Sequence, residues 1–338
     1  MTDPAPPDLA AARAGDENAF ARLVAPHRRA LLAHCYRILG STHDADDALQ
    51  DALLGAWRGL AGFEGRSSLR AWLYRIATHA ALRVAERRPP RRAATELTPA
   101  RTDVHELGEP FTEAVVVEPY PDADLPDPDE AADPQARYEQ RESVELAFVA
   151  ALQALPATQR AVLLLREVLA LPAAEVAVTL DTTVAAVNSA LQRARATMDG
   201  RLAGPTQQAS LRALGDRGQR RLVGALVSAW ERRDVDGVVG LLAEDVRLTM
   251  PPLPAWYDGR DAVRAFFAER MFEHEWRIVP TAANAQPAVA CYMADDAGAF
   301  PLSALVVLSV GDGRIAALDS FLDPETIRLF GLPSHADR

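Results

Sequence analysis

Hydrophobic residues recur at helical spacing from residue 16 to about residue 88. Apolar positions from Phe20 onward follow one helix face, and Gly40 is placed to end that stretch in a left-handed conformation. A second helix is predicted to begin near Ser41, because acidic residues in the following turn suit the positive end of a helix dipole. The pair Ser67–Ser68 supplies candidate N-caps for a third helix. The first part of the chain is therefore predicted to be all α-helical.

The pattern changes twice in the middle of the chain. Residues 89–142 contain nine prolines, are dominated by acidic side chains and lack periodicity, which predicts an extended and largely disordered linker. Residues 143–202 return to helical spacing, with breaks at Pro156 and Pro172 that suit first-turn positions. Two short helices flanking residues 180–183 fit a helix-turn-helix motif.

A third module follows a Gly, Pro and Gln break at residues 204–208. Residues 211–244 are predicted to form two helices and residues 259–272 a third. Four later segments alternate between apolar and polar positions as strands do, and Gly311–Gly313 is a strong hairpin signal. Helices followed by an antiparallel sheet indicate an α+β domain. The predicted fold class is multidomain, with two all-α domains followed by an α+β domain.

The net charge of −11 is unevenly distributed along the chain. Residues 93–142 hold fourteen acidic residues and three arginines, so this linker accounts for the whole imbalance. Residues 66–92 carry eight arginines and Glu86 alone, a basic patch of the kind that binds phosphate. The acidic total therefore does not exclude nucleic acid. The linker is either a spacer or an acidic cover that lowers non-specific DNA binding.

Several classes of protein and site are not expected. Cys35 and Cys291 are the only cysteines, so neither a disulfide framework nor a Cys-rich zinc site is available, and both are expected to be small buried residues. The chain has no run of 18 apolar residues, and its first twenty residues do not form a signal peptide. We expect a cytoplasmic protein with no cofactor, metal or membrane segment.

Two long motifs point to a family. The helical half resembles extracytoplasmic-function sigma factors, whose second conserved region is similar to HDADDALQDALLGAWRGLAGFEGRSSLRAWLYRIATHAAL and whose fourth region is similar to LQALPATQRAVLLLREVLALPAAEVAVTLDTTVAAVNSALQRARATM. The resemblance implies that residues 16–92 bind core RNA polymerase and a −10 promoter element. It also implies that residues 93–142 are a linker and that residues 143–202 bind a −35 element. A sigma factor of this type directs polymerase to promoters and is not an enzyme.

The polymerase contact is expected on an acidic helix face that docks on the clamp coiled coil of the largest subunits. By resemblance its residues are Asp44, Asp47, Gln50 and Asp51. Spacings of three, four and seven place the three carboxylates on one side of a helix. Trp57 and Trp72 are interpreted as packing residues.

The −10 contacts are expected from the arginine-rich helix and the loop before it. The candidates are Phe63, Arg66, Arg70, Tyr74, Arg75, Thr78, His79 and Arg83, with Arg87, Arg88, Arg91 and Arg92 continuing the basic surface. In the family this loop captures a flipped base, which requires a pocket and a stacking ring such as Phe63. Many family members carry Asn at the position of His79.

The −35 contacts are expected on a recognition helix from Thr182 to about Met198, with Val184, Val187 and Leu191 on its buried side. The residues left to face the major groove are Thr182, Thr183, Ala186, Asn188, Ser189, Gln192 and Arg193. Asn and Gln side chains can read adenine, and Arg can read guanine or contact phosphate.

Residues 210–333 resemble the SnoaL-like (NTF2-like) cone, on the segments WERRDVDGVVGLLAEDVRLTMPP, WYDGRDAVRAFFAERMF and GRIAALDSFLDPE. Such cones enclose a pocket, so a small ligand is a candidate partner. The aromatic residues that could line it are Trp230, Trp256, Tyr257, Phe266, Phe267, Trp276, Tyr292 and Phe321. Asp258, His274 and Asp319 do not form a recognisable catalytic set.

The leading interpretation is a sigma factor regulated in cis by its C-terminal domain. One alternative is a ligand-responsive DNA-binding regulator that never engages polymerase, which would need neither the acidic face nor the −10 helix. The other is an enzyme whose cone turns over a small molecule, which would need a complete acid/base pair in the cone.

Overall fold

The computed structural model describes residues 8–65, 67–113, 115–126, 141–202 and 204–336. The chain divides into two compact units. The first unit contains the described residues up to Pro90, those from 124 to 143, and residues 151–202. The second unit contains residues 91–123, residues 144–150 and everything described after residue 203.

Five helices form the beginning of the first unit, and all but the first lie in the stretch that the apolar spacing predicts to be helical. They are α1 (Asp8–Arg13), α2 (Glu17–Val24), α3 (Arg28–Leu39), α4 (Thr42–Gly59) and α5 (Leu69–Arg87). Gly40 ends α3 with a φ of 67°, and the side chains of Ser41 and Ser68 accept N-cap hydrogen bonds at the starts of α4 and α5. The expected helix boundaries are confirmed because each one depends on local capping chemistry.

A buried polar pair lies inside this helical core. Thr78 Oγ1 donates to the carbonyl of Tyr74 at 2.7 Å, so its oxygen accepts from His34 Nε2 at 2.9 Å. Burial, together with a smaller effect of the charge of Arg37, lowers the pKa of His34 to about 3. His34 is therefore neutral in the folded protein at physiological pH.

The next part of the chain ends in a helix-turn-helix. The helices are α6 (Leu146–Gln153), α7 (Ala157–Leu163), α8 (Ala173–Thr179) and α9 (Val184–Asp199), and residues 146–150 of α6 belong to the second unit. Asp181 takes a φ of 50° in the turn between α8 and α9. Arg160 on α7 is buried and donates to main-chain carbonyl groups, among them that of Ile38. Loss of hydration lowers the pKa of Arg160 to about 10.

The second unit is built on one six-stranded sheet with helices packed against it. The helices are α10 (Gln207–Glu231), α11 (Val235–Gly240), α12 (Arg260–Glu269) and α13 (Pro324–Arg328). The strands are β1 (Leu242–Thr249), β2 (Trp256–Asp258), β3 (Trp276–Ala283), β4 (Gln286–Met293), β5 (Leu302–Gly311) and β6 (Arg314–Phe321). The strand order is β2-β1-β6-β5-β4-β3.

The expectation of a purely antiparallel sheet is wrong in one respect. The four predicted strands pair antiparallel as β3 to β6, with Asp312 and Gly313 at positive φ in the last turn. β1 and β2 were not predicted as strands, and β1 pairs parallel to β6. Part of β1 falls in the stretch expected to be helical, because burial against the sheet overrides a short helical pattern.

The prediction of a largely disordered linker is also wrong for residues 91–123. Arg92 forms a parallel bridge to Val116, and Tyr120 is fully buried. Val104 belongs to the main hydrophobic core of the second unit. This segment lacks long helices or strands, but its scattered apolar side chains and backbone groups find partners on the domain that follows. Residues 127–140 of the predicted linker lie outside the described residues.

Other expectations concern cysteines and membrane spans. Cys35 and Cys291 are both free and buried, as predicted. Among the described residues, no helix has the length and apolar character needed to cross a bilayer.

Acidification should destabilise the first unit through His34. The unfolded imidazole binds a proton below its ordinary pKa of 6.5, whereas the buried one resists protonation down to about 3. Stability present above pH 6.5 is therefore lost as the pH falls, by about 2 kcal/mol between pH 7 and pH 5. Urea unfolding followed by circular dichroism measures this loss. His34→Gln keeps a donor for Thr78 but does not titrate, so its loss should be smaller; equal losses in both proteins would contradict the prediction.

Candidate nucleic-acid interface

The expected acidic face on α4 contains three of its four residues. Asp47, Gln50 and Asp51 are exposed, whereas the Asp44 side chain is only 9% exposed and lies 3.6 Å from Arg88. Asp44 is therefore not part of the exposed face. Asp44 lies in the first turn of α4, where its main-chain N–H donates to the N-cap oxygen of Ser41 at 3.1 Å.

Sequence spacing did not single out Leu54 as part of this face. Its exposed fraction is 53%, and it is one of four exposed large apolar residues among the described residues of this unit. Leu54 lies four residues after Gln50 and three after Asp51, so it shares their side of α4. The face thus combines two carboxylates and an amide with one exposed apolar side chain. The signal that could have identified Leu54 is its place one helical turn beyond the acidic residues.

The predicted DNA-facing residues of α5 separate into two sets. Arg70 and Arg83 are exposed, and Arg75 and His79 are partly exposed. Tyr74 and Thr78 are buried, which corrects their assignment to the DNA-facing side. The reason is the core pair described above, since Thr78 bonds to His34 and the Tyr74 ring packs edge-on against the same imidazole at 5.2 Å.

The loop before α5 also differs from the expectation. Phe63 is 7% exposed and packs on Trp72, with ring centroids 5.0 Å apart. Its ring therefore belongs to a hydrophobic cluster and is not positioned to stack on a base. Arg66 lies outside the described residues. Trp57 packs on Phe20 at 5.1 Å, consistent with its interpretation as a packing residue.

An ion pair joins α5 to the turn of the helix-turn-helix. Arg75 Nη2 lies 2.9 Å from Asp181 Oδ1, and His79 Nε2 lies 3.8 Å from Asp181 Oδ2. The left-handed conformation of Asp181, which Asp tolerates better than most residues, orients this carboxylate. Two of the side chains expected to meet DNA thus contact an acidic residue of the same unit.

The basic surface beyond α5 is smaller than the arginine count suggests. Arg87 and Arg92 are exposed. Arg91 is buried in an ion pair with Glu118 at 2.8 Å, which removes it from the expected phosphate-binding surface. Arg88 pairs with Asp44. Glu118 of the linker and Asp44 of α4 thus neutralise two of the eight arginines of residues 66–92, although both are distant from them in sequence.

The recognition helix α9 agrees best with the expected geometry. Every predicted groove-facing residue is exposed: Thr182, Thr183, Ala186, Asn188, Ser189, Gln192 and Arg193. Thr183 caps the helix by accepting from the N–H of Ala186 at 3.2 Å. Val187 and Leu191 are buried as predicted, but Val184 is 43% exposed because it lies in the first turn beyond the packed face.

The aromatic candidates in the cone do not line one common space. Trp230, Tyr257, Phe266, Phe267 and Trp276 share one core cluster, in which Trp230 and Phe267 meet edge-on at 5.0 Å. The three others lie elsewhere. Trp256 donates to the carbonyl of Thr98, Tyr292 packs in a separate cluster with Phe300, and Phe321 is absent from the main cluster.

The acid/base candidates of the cone are also apart. Asp258 and His274 are exposed, whereas Asp319 accepts from Thr249 Oγ1 at 2.8 Å. Burial raises the pKa of Asp319, and the hydrogen bond from Thr249 opposes that rise. Among the described residues, no group of three or more His, Cys, Asp or Glu side chains could hold a metal ion.

Comparison with known families follows the same three-part division. The models described as Sigma-70 region 2, Sigma-70 region 4 and SnoaL-like domain match residues 23–89, 145–198 and 223–318. The chain is similar to the ECF RNA polymerase sigma factor SigG of Mycobacterium tuberculosis, with 41% identity over 325 residues, which cover 95% of this chain and 85% of the relative.

Two further comparisons extend this result. The RNA polymerase sigma-H factor of Pseudomonas aeruginosa is 30% identical over 188 residues, covering 55% of this chain and 86% of that protein. Among solved structures, the extracytoplasmic function sigma factor SigJ of Mycobacterium tuberculosis has a TM-score of 0.55 and 22% identity, covering 93% of this chain and 99% of that one. At that identity the structural likeness shows the fold alone.

Asp181→Asn should release Arg75 and His79 and so raise the affinity of the free chain for double-stranded DNA. Because the Arg75–Asp181 pair is exposed, we expect an increase of about two- to fivefold at low salt. Fluorescence anisotropy measures it. Asp199→Asn removes the same charge from the other end of α9 and is the control; equal increases in both variants would show that net charge alone is responsible.

Proposed function

The chain belongs to the extracytoplasmic-function family of RNA polymerase sigma factors and directs RNA polymerase to promoters, and we propose which of its surfaces carry the separate contacts. ECF sigma factors bind core polymerase and promoter DNA. The polymerase contact is assigned to α4, the −10 contact to α5 and the −35 contact to α9. The observation that carries the assignment is the exposure of each face.

On α4 we assign the polymerase contact to Asp47, Gln50, Asp51 and Leu54. An exposed apolar side chain beside charged and amide groups is typical of an interface centre with a polar rim. The Gln50 amide donates to Asp46 Oδ2 at 2.6 Å, which restrains its side chain on this face. Asp44 instead supports the helix through its ion pair with Arg88.

For the −10 element we assign Arg70, Arg75, His79 and Arg83, without Tyr74 and Thr78. Arg70 extends over the Tyr74 ring at 5.5 Å, a cation–π contact that positions its guanidinium at the surface. Arg66 remains a prediction of the resemblance, and Phe63 is left out because its ring packs on Trp72. For the −35 element we assign all seven exposed candidates of α9.

Promoter binding requires the first unit to open. Promoter elements centred at −10 and −35 are about 25 base pairs apart, which is about 85 Å along B-DNA. In this structure Arg75 on α5 and Asp181 beside α9 are 2.9 Å apart. The two DNA-binding faces cannot meet both elements in this arrangement, so the Arg75–Asp181 pair and the hydrogen bond from Arg160 to the Ile38 carbonyl must break on the way to the initiation complex.

The SnoaL-like domain is assigned a regulatory role in cis. Its support is that residues 91–123 and 144–150, which join the promoter-binding modules, belong to the same compact unit as this domain. A small ligand remains a candidate, because Trp230 Nε1 is buried in the aromatic cluster and has no acceptor among the described residues. A ligand with a hydrogen-bond acceptor would satisfy that group.

Asp51→Arg should abolish most polymerase binding, because it reverses a charge on the proposed face without touching the DNA-binding helices. We expect affinity for core polymerase to fall at least about tenfold. Binding titrations and promoter-dependent abortive transcription measure the effect. Asp296→Arg makes the same charge reversal in an exposed loop of the cone and should behave as the wild type; an unaffected Asp51→Arg protein would contradict the assignment.

Gln192→Ala should weaken and relax recognition of the −35 element, since loss of a base-reading amide removes discrimination at one position. The expected cost is about 1–3 kcal/mol on the preferred sequence and less on others. Arg195→Ala on the same helix is the control, because Arg195 is paired with Glu167. Binding to a set of single-base promoter variants measures both, and equal losses on every sequence would indicate a phosphate contact.

A further inference from the structure

One turn of the cone is hydrogen-bonded to two separate stretches of the chain that connects the two promoter-binding modules. This turn joins β3 to β4, and in it Asn284 and Ala285 have φ values of 57° and 56°. A two-residue hairpin turn with both residues at positive φ favours Asn at its first position. Asn284 is fully buried, which is unusual for a turn residue. We call Asn284, Ala285 and Gln286 the clasp.

The first stretch is hydrogen-bonded to the clasp at Tyr120. The N–H of Tyr120 donates to Asn284 Oδ1 at 2.8 Å, and the N–H of Asn284 donates to the carbonyl of Tyr120 at 2.8 Å. Two residues later, Asp122 Oδ1 accepts from the N–H of Ala285 at 2.8 Å. An extended Tyr-Pro-Asp segment is thus recognised through both its backbone and its carboxylate.

The second stretch enters the clasp at Val144, on the far side of the acidic segment. Asn284 Nδ2 donates to the Val144 carbonyl at 2.7 Å, and the N–H of Leu146 donates to Gln286 Oε1 at 2.9 Å. The carboxylate of Glu145 accepts from the N–H groups of Gln207 at 3.1 Å and Gln208 at 2.6 Å, at the start of α10. One amide side chain therefore joins residues 120 and 144.

We propose that the clasp is a peptide-binding site whose occupant is the chain's own connecting segment, and that its occupancy limits how far the two promoter-binding modules can separate. This proposal rests on the sigma-factor function and deepens the regulatory role of the cone. While the clasp is closed, residues 120 and 144 are both held at the clasp, so the chain between them does not lengthen the connection between the two modules. When the clasp opens, the 24 residue-to-residue steps from 120 to 144 can span about 80 Å, which is close to the distance between the two promoter elements.

The buried amide makes the clasp two-state. If Tyr120 or Val144 leaves, Asn284 loses one of the hydrogen bonds that its buried amide makes, so partial release is disfavoured. A competitor must supply the same groups: an extended segment with a backbone N–H and C=O pair, and a carboxylate two residues further on. A synthetic peptide of residues 116–124 meets this description and is the probe for competition.

The test uses full-length Asn284→Gly, which keeps the positive-φ turn but removes both side-chain bonds. Ala285→Gly is the matched control, because it eases the same turn and leaves the Asn284 side chain intact. Amide hydrogen exchange reports the clasp directly, without polymerase. We expect exchange at Tyr120 and Leu146 to accelerate by about tenfold or more in Asn284→Gly and to stay near the wild-type rate in Ala285→Gly. Unchanged protection in Asn284→Gly would overturn the proposal.

Two more measurements test the consequence. Energy transfer between labels at Arg58→Cys on α4 and Gln192→Cys on α9 should show a broader and longer distance distribution in Asn284→Gly, and the 116–124 peptide should have the same effect on the wild-type clasp. Abortive transcription should rise in Asn284→Gly. Faster exchange with unchanged distances and output would refute the limit on reach. If neither the wild type nor Asn284→Gly gave a transcript, the sigma-factor function would be contradicted. The hydrogen-exchange rates would still decide whether the clasp exists.

Discussion

The need to satisfy buried backbone groups controls how this chain is organised. Residues 91–123 are rich in proline and form no long helix or strand, so their amide and carbonyl groups must find partners elsewhere. They find them on the cone, at Trp256, at Pro252 and most completely at Asn284. The connection between the two promoter-binding modules thereby becomes part of the domain that follows them.

The same demand for partners acts on charged side chains. Arg75 pairs with Asp181, Arg88 with Asp44 and Arg91 with Glu118, so three arginines of the basic stretch are matched by carboxylates. In an unbound DNA-binding protein such pairs lower the self-repulsion of clustered cations. Those at the surface are weak enough for phosphate to replace, whereas the buried Arg91–Glu118 pair is structural.

Expectations from sequence held where the deciding physics is local. Gly40, Ser41 and Ser68 end or begin helices as predicted, and the exposed face of α9 contains each expected residue. They failed where a neighbouring element buries side chains that helical spacing alone places on the exposed side of a helix. Thr78 lies off the apolar stripe of α5 yet bonds to His34, and Phe63 packs under Trp72.

The sequence by itself determined the family, the order of the three modules, the helix-turn-helix and the strands β3 to β6, because these follow from motifs, periodicity and capping within a few residues. Tertiary structure alone decided that β1 pairs parallel to β6, that Asp44 is buried, and that the acidic linker binds the cone. The physical reason is that hydrogen bonds such as those from Asn284 to Tyr120 and Val144 join residues more than a hundred positions apart. No local pattern in the chain encodes such pairs.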